Sequence, residues 1–204
     1  MQDNKRILVI RTGGTVDSVA YKDPRNPPKF VTTLKNGESL LKRTVKALPN
    51  SASIDWYGGA DEDSYVKDSQ EYTLDDIRRL ASLIRRDSHR YILLTHGTDA
   101  MVRNACWLQQ ELAGTDKTII FTGAMVPLSM HEQCGSDAIG VLSHTLKNIH
   151  NQPAGVYIAG YDEALKDFGF FDPARVEKDK ATSKLSLRFT LGPSRDDDYA
   201  YLGI

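Results

Sequence analysis

Residues 6–10 (RILVI), 91–94 (YILL), 118–121 (TIIF) and 155–159 (GVYIA) are short, uninterrupted apolar runs rich in β-branched side chains. A strand with one wet face alternates apolar and polar residues. A run that is apolar at every position has both faces covered, as in a parallel sheet sandwiched between helices. Helical spacing fills the intervals. Residues 33–48 carry Leu34, Leu40, Leu41, Val45 and Leu48 at that spacing. Thr73 precedes Asp76 by three positions, a capping box with Asp in place of Glu. The helix it opens puts Ile77, Leu80, Leu83 and Ile84 on one face and Arg78, Arg79, Arg85 and Arg86 on the other. Further helices are expected over residues 101–112 and 138–149, and Tyr65 and Val66 are expected to end a second strand. The repeated βα rhythm predicts an α/β fold: a doubly wound, mostly parallel sheet, flavodoxin-like or Rossmann-like, with helices on both faces and right-handed crossovers. In such a sheet ligands bind beyond the carboxyl ends of the strands.

The 204 residues suit one domain, with residues 1–190 as its body and 191–204 as a tail of unassigned role. The formal net charge of −1 provides no strong field for nucleic acid or an anionic membrane surface. No stretch approaches the ~20 apolar residues of a membrane span. Two cysteines, Cys106 and Cys134, suit reduced thiols in a cytoplasmic protein. The prolines of residues 23–28 (DPRNPP) read as a loop, and residues 162–170 (DEALKDFGF) read as another on the rim of the strand ends.

Three of the apolar runs close in turns of glycine and hydroxyl residues: Thr12-Gly13-Gly14-Thr15, Thr95-His96-Gly97-Thr98-Asp99 and Thr122-Gly123-Ala124-Met125. Two readings stand for each of the first two. Gly13-Gly14 either exposes Thr15 as a nucleophile at a strand end or merely turns the chain, with Thr15 as a cap. Thr98-Asp99 either offers a hydroxyl and a carboxylate to a ligand or serves as an ordinary N-cap. His96 is a candidate base, although a single histidine beside glycine at a strand end is usually structural. A third glycine is missing for a dinucleotide fingerprint, and no Gly-Lys-Ser/Thr follows for a phosphate loop. No Gly-x-Ser-x-Gly elbow is present, and His131, Glu132 and Cys134 match no metal spacing.

Taken in order, Thr12-Gly13-Gly14-Thr15, Asp68-Ser69-Gln70, Thr95-His96-Gly97-Thr98-Asp99 and Thr122-Gly123-Ala124-Met125 resemble the signature of bacterial-type L-asparaginases. The resemblance runs from about Arg6 to about Phe189 and covers the amino-terminal, catalytic domain of that family. Residues 171–178 (FDPARVEK) are similar to a motif near the end of its short, single-domain members. The resemblance implies that Thr15 attacks a side-chain amide and forms an acyl-enzyme. It implies a second triad of Thr98, Asp99 and Lys178, with Lys180 as the alternative lysine. A lysine that pulls a proton through threonine must be neutral, which requires desolvation. By the same resemblance Asp99 binds the α-ammonium, Ser69 and Gln70 the α-carboxylate, and Tyr21 belongs to a lid. Gly97, Thr98 and Ala124 join the substrate-binding set, with backbone N–H groups of the glycine turns as oxyanion donors. Ala100 stands where the family carries a third hydroxyl residue, and Asp179 stands where short members carry Asn.

Two functions are compatible with these residues. The first is an amidohydrolase releasing ammonia from L-asparagine or L-glutamine, without cofactor or metal, as a homodimer or larger homo-oligomer. The second is a catalytically weak amino-acid-binding or sensor module, or the amidase part of a larger assembly.

Overall fold

A computed structural model describes residues 5–23, 26–34, 40–48, 53–58, 65–130, 135–162, 166–178 and 185–187. Side chains of residues 19–23, 26–34, 177–178 and 185–187 lie outside that description, as do Lys180, Asp179, His131, Glu132, Cys134 and the tail.

A six-stranded sheet forms the centre. Its strands are β1 (Ile7–Arg11), β4 (Ile54–Trp56), β5 (Tyr91–Thr95), β6 (Thr118–Thr122), β7 (Gly155–Asp162) and β8 (Asp167–Phe171). They lie in the order β4-β1-β5-β6-β7-β8. All neighbours run parallel except β8, which pairs antiparallel with β7. Among the described residues two helices cover each face: α1 (Leu40–Ala47) and α4 (Ala138–Asn148) on one, α2 (Leu74–Arg86) and α3 (Met101–Glu111) on the other.

The period-2 alternation of the strands divides the core in two. Leu8, Ile10, Ile92, Leu94, Ile119 and Phe121 pack under α2 and α3, while Ile7, Val9, Leu93 and Ile120 pack under α1 and α4. Strands β1, β5 and β6 are buried at every position, as their continuous apolar runs require. The capping box forms as expected: Thr73 Oγ1 accepts from the Asp76 N–H, and Asp76 accepts from the Thr73 N–H at 2.9 Å.

Several elements differ from expectation. Tyr65 and Val66 lie in a turn and coil, and the second sheet strand is Ile54–Trp56 instead. The helix expected over residues 33–48 begins only at Leu40, because β3 (Asn26–Leu34) pairs with β2 (Ser18–Asp23) as a separate hairpin. That hairpin absorbs Pro27 and Pro28; a two-stranded ribbon has outer edges where a missing N–H costs no ladder bond. The stretch 162–170 is no plain loop, since most of it belongs to the β7–β8 hairpin. Phe168 and Phe170 alternate onto the α4 face and give that hairpin its apolar anchor. A two-stranded pair of β9 (Val176–Lys178) and β10 (Leu185–Leu187) follows.

In sheet order the five parallel strands read second-first-third-fourth-fifth. The winding direction therefore reverses between β1 and β5. At such a switch point the connections leave in opposite directions and open a crevice at the carboxyl ends. The turns after β1 and β5 flank that crevice.

Candidate active site

The first turn is held open by glycine backbone. Gly13 and Gly14 have φ of +97° and +90°, a region that side chains rarely adopt. An ideal Cβ on Gly14 would lie 2.3 Å from the carbonyl carbon and oxygen of His96 and 2.4 Å from the Gly97 nitrogen. The absence of a side chain lets the first turn press on the second. Thr15 opens a short 3-10 turn (Thr15–Asp17), whose end is anchored by Arg11 Nε on Asp17 Oδ2 at 2.7 Å, both side chains buried. Ser18 Oγ donates to the Gly14 carbonyl at 2.7 Å.

The other turns converge on the same point. A Cβ on Gly97 would lie 2.7 Å from Ser69 Oγ, and one on Gly123 would lie 2.7 Å from the His96 carbonyl and 3.0 Å from Thr98 Cγ2. Ser69 is buried in the short 3-10 turn Ser69–Glu71, and its Oγ accepts from the Ala100 N–H at 3.3 Å. Asp68 accepts from the Gln70 N–H at 2.8 Å, which holds that turn's entry. Gln70 Nε2 donates to Asp99 Oδ2 at 3.4 Å, so an amide and a carboxylate face one another at the exposed mouth. Thr15 Oγ1 donates to the carbonyl of Ala124, whose side chain is buried.

Thus Thr15, Ser69, Gln70, Gly97, Thr98, Asp99 and Ala124 meet at the carboxyl end of the switch point. Tyr21 is placed by its backbone only, opposite Val31 in the hairpin that leaves the first turn. Lys178 is likewise placed as backbone, opposite Leu185 and two residues after the buried Val176. The contacts of both side chains fall outside the described residues.

His96 is fully buried and structural in its bonding. Asn104 Nδ2 donates to Nε2 at 2.8 Å, so a neutral ring carries its proton on Nδ1 and donates to Thr12 Oγ1 at 2.9 Å. Thr12 in turn donates to the Thr95 carbonyl. Burial, with the nearby charge of Arg103, pulls the imidazole down to about 3. Asn104 spends its second N–H on the Ser69 carbonyl at 2.9 Å. One amide therefore ties the second turn to the Ser69 segment. Tyr72 packs edge-on against His96, with ring centroids 4.9 Å apart, and donates to the Tyr65 carbonyl. Burial pushes the Tyr72 phenol up, which keeps it a neutral donor.

Asn104 and Asp137 were not singled out by motif, and Thr12 entered only as the first residue of its turn, with no role assigned. Asn104 leaves a trace in the sequence: it occupies an apolar-stripe position of α3, between Met101 and Ala105 and Leu108. A buried polar residue on such a stripe signals a bonded network. Asp137 reads only as a helix N-cap.

The fold and the crevice define a doubly wound α/β protein whose site is built from strand-end turns at its switch point. The chain belongs to the asparaginase family, since the family model for the asparaginase N-terminal domain matches residues 6–185. It is 26% identical over 145 residues to an L-asparaginase of Dirofilaria immitis, covering 62% of this chain and 24% of that protein. Among solved structures it resembles the thermostable L-asparaginase of Thermococcus kodakarensis, with a TM-score of 0.64 at 19% identity, covering 89% of this chain and 51% of that one. L-asparaginase I of Vibrio cholerae gives a TM-score of 0.64 at 21% identity, covering 90% and 51%. A probable cytoplasmic L-asparaginase of Campylobacter jejuni gives 0.62 at 21%, covering 91% and 53%. The chain spans about a quarter of the Dirofilaria protein and about half of each solved relative.

Proposed function

We propose that this chain is an amidohydrolase that converts L-asparagine and water to L-aspartate and ammonia through an acyl-enzyme on Thr15. Family membership supports the reaction class. The observation that carries the residue assignment is the convergence of four turns on one crevice, with the Thr15 hydroxyl held against the Ala124 carbonyl.

The chemistry runs in two halves. Thr15 Oγ1 attacks the side-chain amide carbon, the C–O bond forms, and the carbonyl electrons move onto oxygen. Backbone N–H groups of Gly97 and Thr98 are the assigned donors to that oxyanion. A carbonyl accepts a hydrogen bond but not a proton, so Ala124 orients Thr15 without serving as its base. That work is assigned to Thr98 and a neutral Lys178, supported by Asp99. Collapse breaks the C–N bond, and ammonia leaves with the transferred proton. Water then hydrolyses the threonyl ester and regenerates the hydroxyl. Asp99 takes the α-ammonium, Ser69 and Gln70 the α-carboxylate, and Tyr21 closes over the crevice from the hairpin. L-Glutamine is the second substrate to test, because one methylene changes discrimination by only ~1–3 kcal/mol. A homo-oligomer is the proposed working form. Sedimentation tests it.

Ammonia release from L-asparagine should be present in the wild type and fall roughly 10³-fold or more in Thr15→Ala. Release that survives Thr15→Ala removes the nucleophile assignment. A second reading is a binding module or the amidase part of a larger assembly. That reading predicts calorimetric binding of L-asparagine or L-aspartate without turnover.

A further inference from the structure

We infer that Asp137 is a positioning residue for Thr15 that acts through the Ala124–Met125 peptide. The inference rests on Thr15 as nucleophile and adds a residue that no motif reading assigned. Asp137 sits at the N-cap position of α4 but makes no side-chain cap bond to that helix. Its carboxylate instead turns back to the third turn. Met125 N donates to Oδ1 and Oδ2, each at 3.0 Å, and Val126 N donates to Oδ1 at 3.1 Å. Ser136 completes the grip: its Oγ donates to the Val126 carbonyl at 2.6 Å and accepts from the Ala138 N–H at 3.1 Å.

The Met125 N–H and the Ala124 carbonyl belong to one planar peptide unit, so fixing one end aims the other. The aimed end is the carbonyl that takes the Thr15 hydroxyl. A carboxylate on the N–H side polarises the unit and raises electron density on the Ala124 oxygen, since hydrogen bonds in series strengthen one another. The sequence carboxylate, peptide, hydroxyl therefore holds Thr15 Oγ1 in one rotamer and enriches its oxygen. No proton leaves Asp137. The effect belongs to the turnover step, because Asp137 has no role in gripping the α-ammonium or α-carboxylate.

The test uses the whole chain carrying Asp137→Asn, which keeps an oxygen for the Met125 and Val126 N–H groups and removes the charge. We expect kcat for L-asparagine to fall roughly tenfold while KM stays within about twofold and the melting temperature is unchanged. Independently of turnover, the carbonyl carbon of Ala124, followed by NMR with 13C-carbonyl alanine, should shift in Asp137→Asn toward its position in Thr15→Ala. Unchanged kcat in folded Asp137→Asn, or a rise in KM with kcat intact, overturns the inference. So does an Ala124 carbon that ignores both substitutions. If the wild type releases no ammonia, the hydrolase reading fails, and the carbon shift still decides whether Asp137 and Thr15 are coupled.

Discussion

His96 is buried among Tyr72, Phe121, Thr12 and Asn104, and both of its ring nitrogens are engaged in the neutral form. A second proton would leave Asn104 Nδ2 facing a donor in a fully buried site. Burial lowers this group to about 3 from an ordinary value of 6.5. Between these values the unfolded chain binds a proton that the folded chain refuses, so stability rises with pH. The His96 contribution is fully present above pH 6.5 and is lost as pH falls toward 3. The expected slope is up to about 1.4 kcal/mol per pH unit for this one group. Urea unfolding at pH 7, 6 and 5 should show this loss in the wild type, and a folded His96→Gln should lack it. Equal slopes for both would mean that His96 is charged in the folded state.

At the scale of elements, the glycines separate geometry from space. Gly14 and Gly114 both have left-handed φ, at +90° and +77°, yet a Cβ on Gly114 meets nothing within 4 Å. Gly114→Ala should cost only about 1 kcal/mol of stability, from backbone preference alone. Gly14→Ala adds a collision with the His96–Gly97 peptide, so it should abolish turnover and cost roughly 2–4 kcal/mol. Thermal melts and ammonia release on the two variants check the contrast; similar losses would show that conformation, not contact, dominates. Such contacts explain what was legible in the sequence. Strands β1, β5 and β6 announced themselves because both of their faces are covered, which forces every residue apolar. Strand β4 did not: it is a three-residue edge strand, Ile-Asp-Trp, only half-buried. Tyr65 and Val66, both good strand formers, filled the gap in its place. The helical spacing of Leu34 was coincidental, since hairpin pairing with β2 decided its state. The glycine-hydroxyl turns marked the crevice. The bonds of Asn104 to His96 and Ser69 and of Asp137 to Met125 span 8, 35 and 12 residues, and no short motif marks these pairs.

For the molecule as a whole, the arginines of α2 are the natural place to look for polyanion binding. Two of the four are paired with carboxylates within the fold. Arg78 pairs with Asp75 and Glu111, Arg79 with Asp76, and Arg85 donates to the Glu111 carbonyl. Combined with a net charge of −1, this weakens the field that phosphates would meet on α2. Filter binding with transfer RNA at about 150 mM salt should therefore show no retention. Retention that falls steeply with salt would point to the larger-assembly reading.

The sheet joins β1 to β5 across more than eighty residues of chain, as in the Thr12–Thr95 pairing. Closing so long a loop is slow and comes late in folding. During synthesis the Thr15 segment waits without its partners, since β5, Ala124 and Asp137 emerge in turn long after it. A nascent or truncated chain ending before β6 therefore carries every residue of the first turn but neither Ala124, which meets the Thr15 hydroxyl, nor Asp137. The Thr15 hydroxyl meets the Ala124 carbonyl only when the body of the domain is already made.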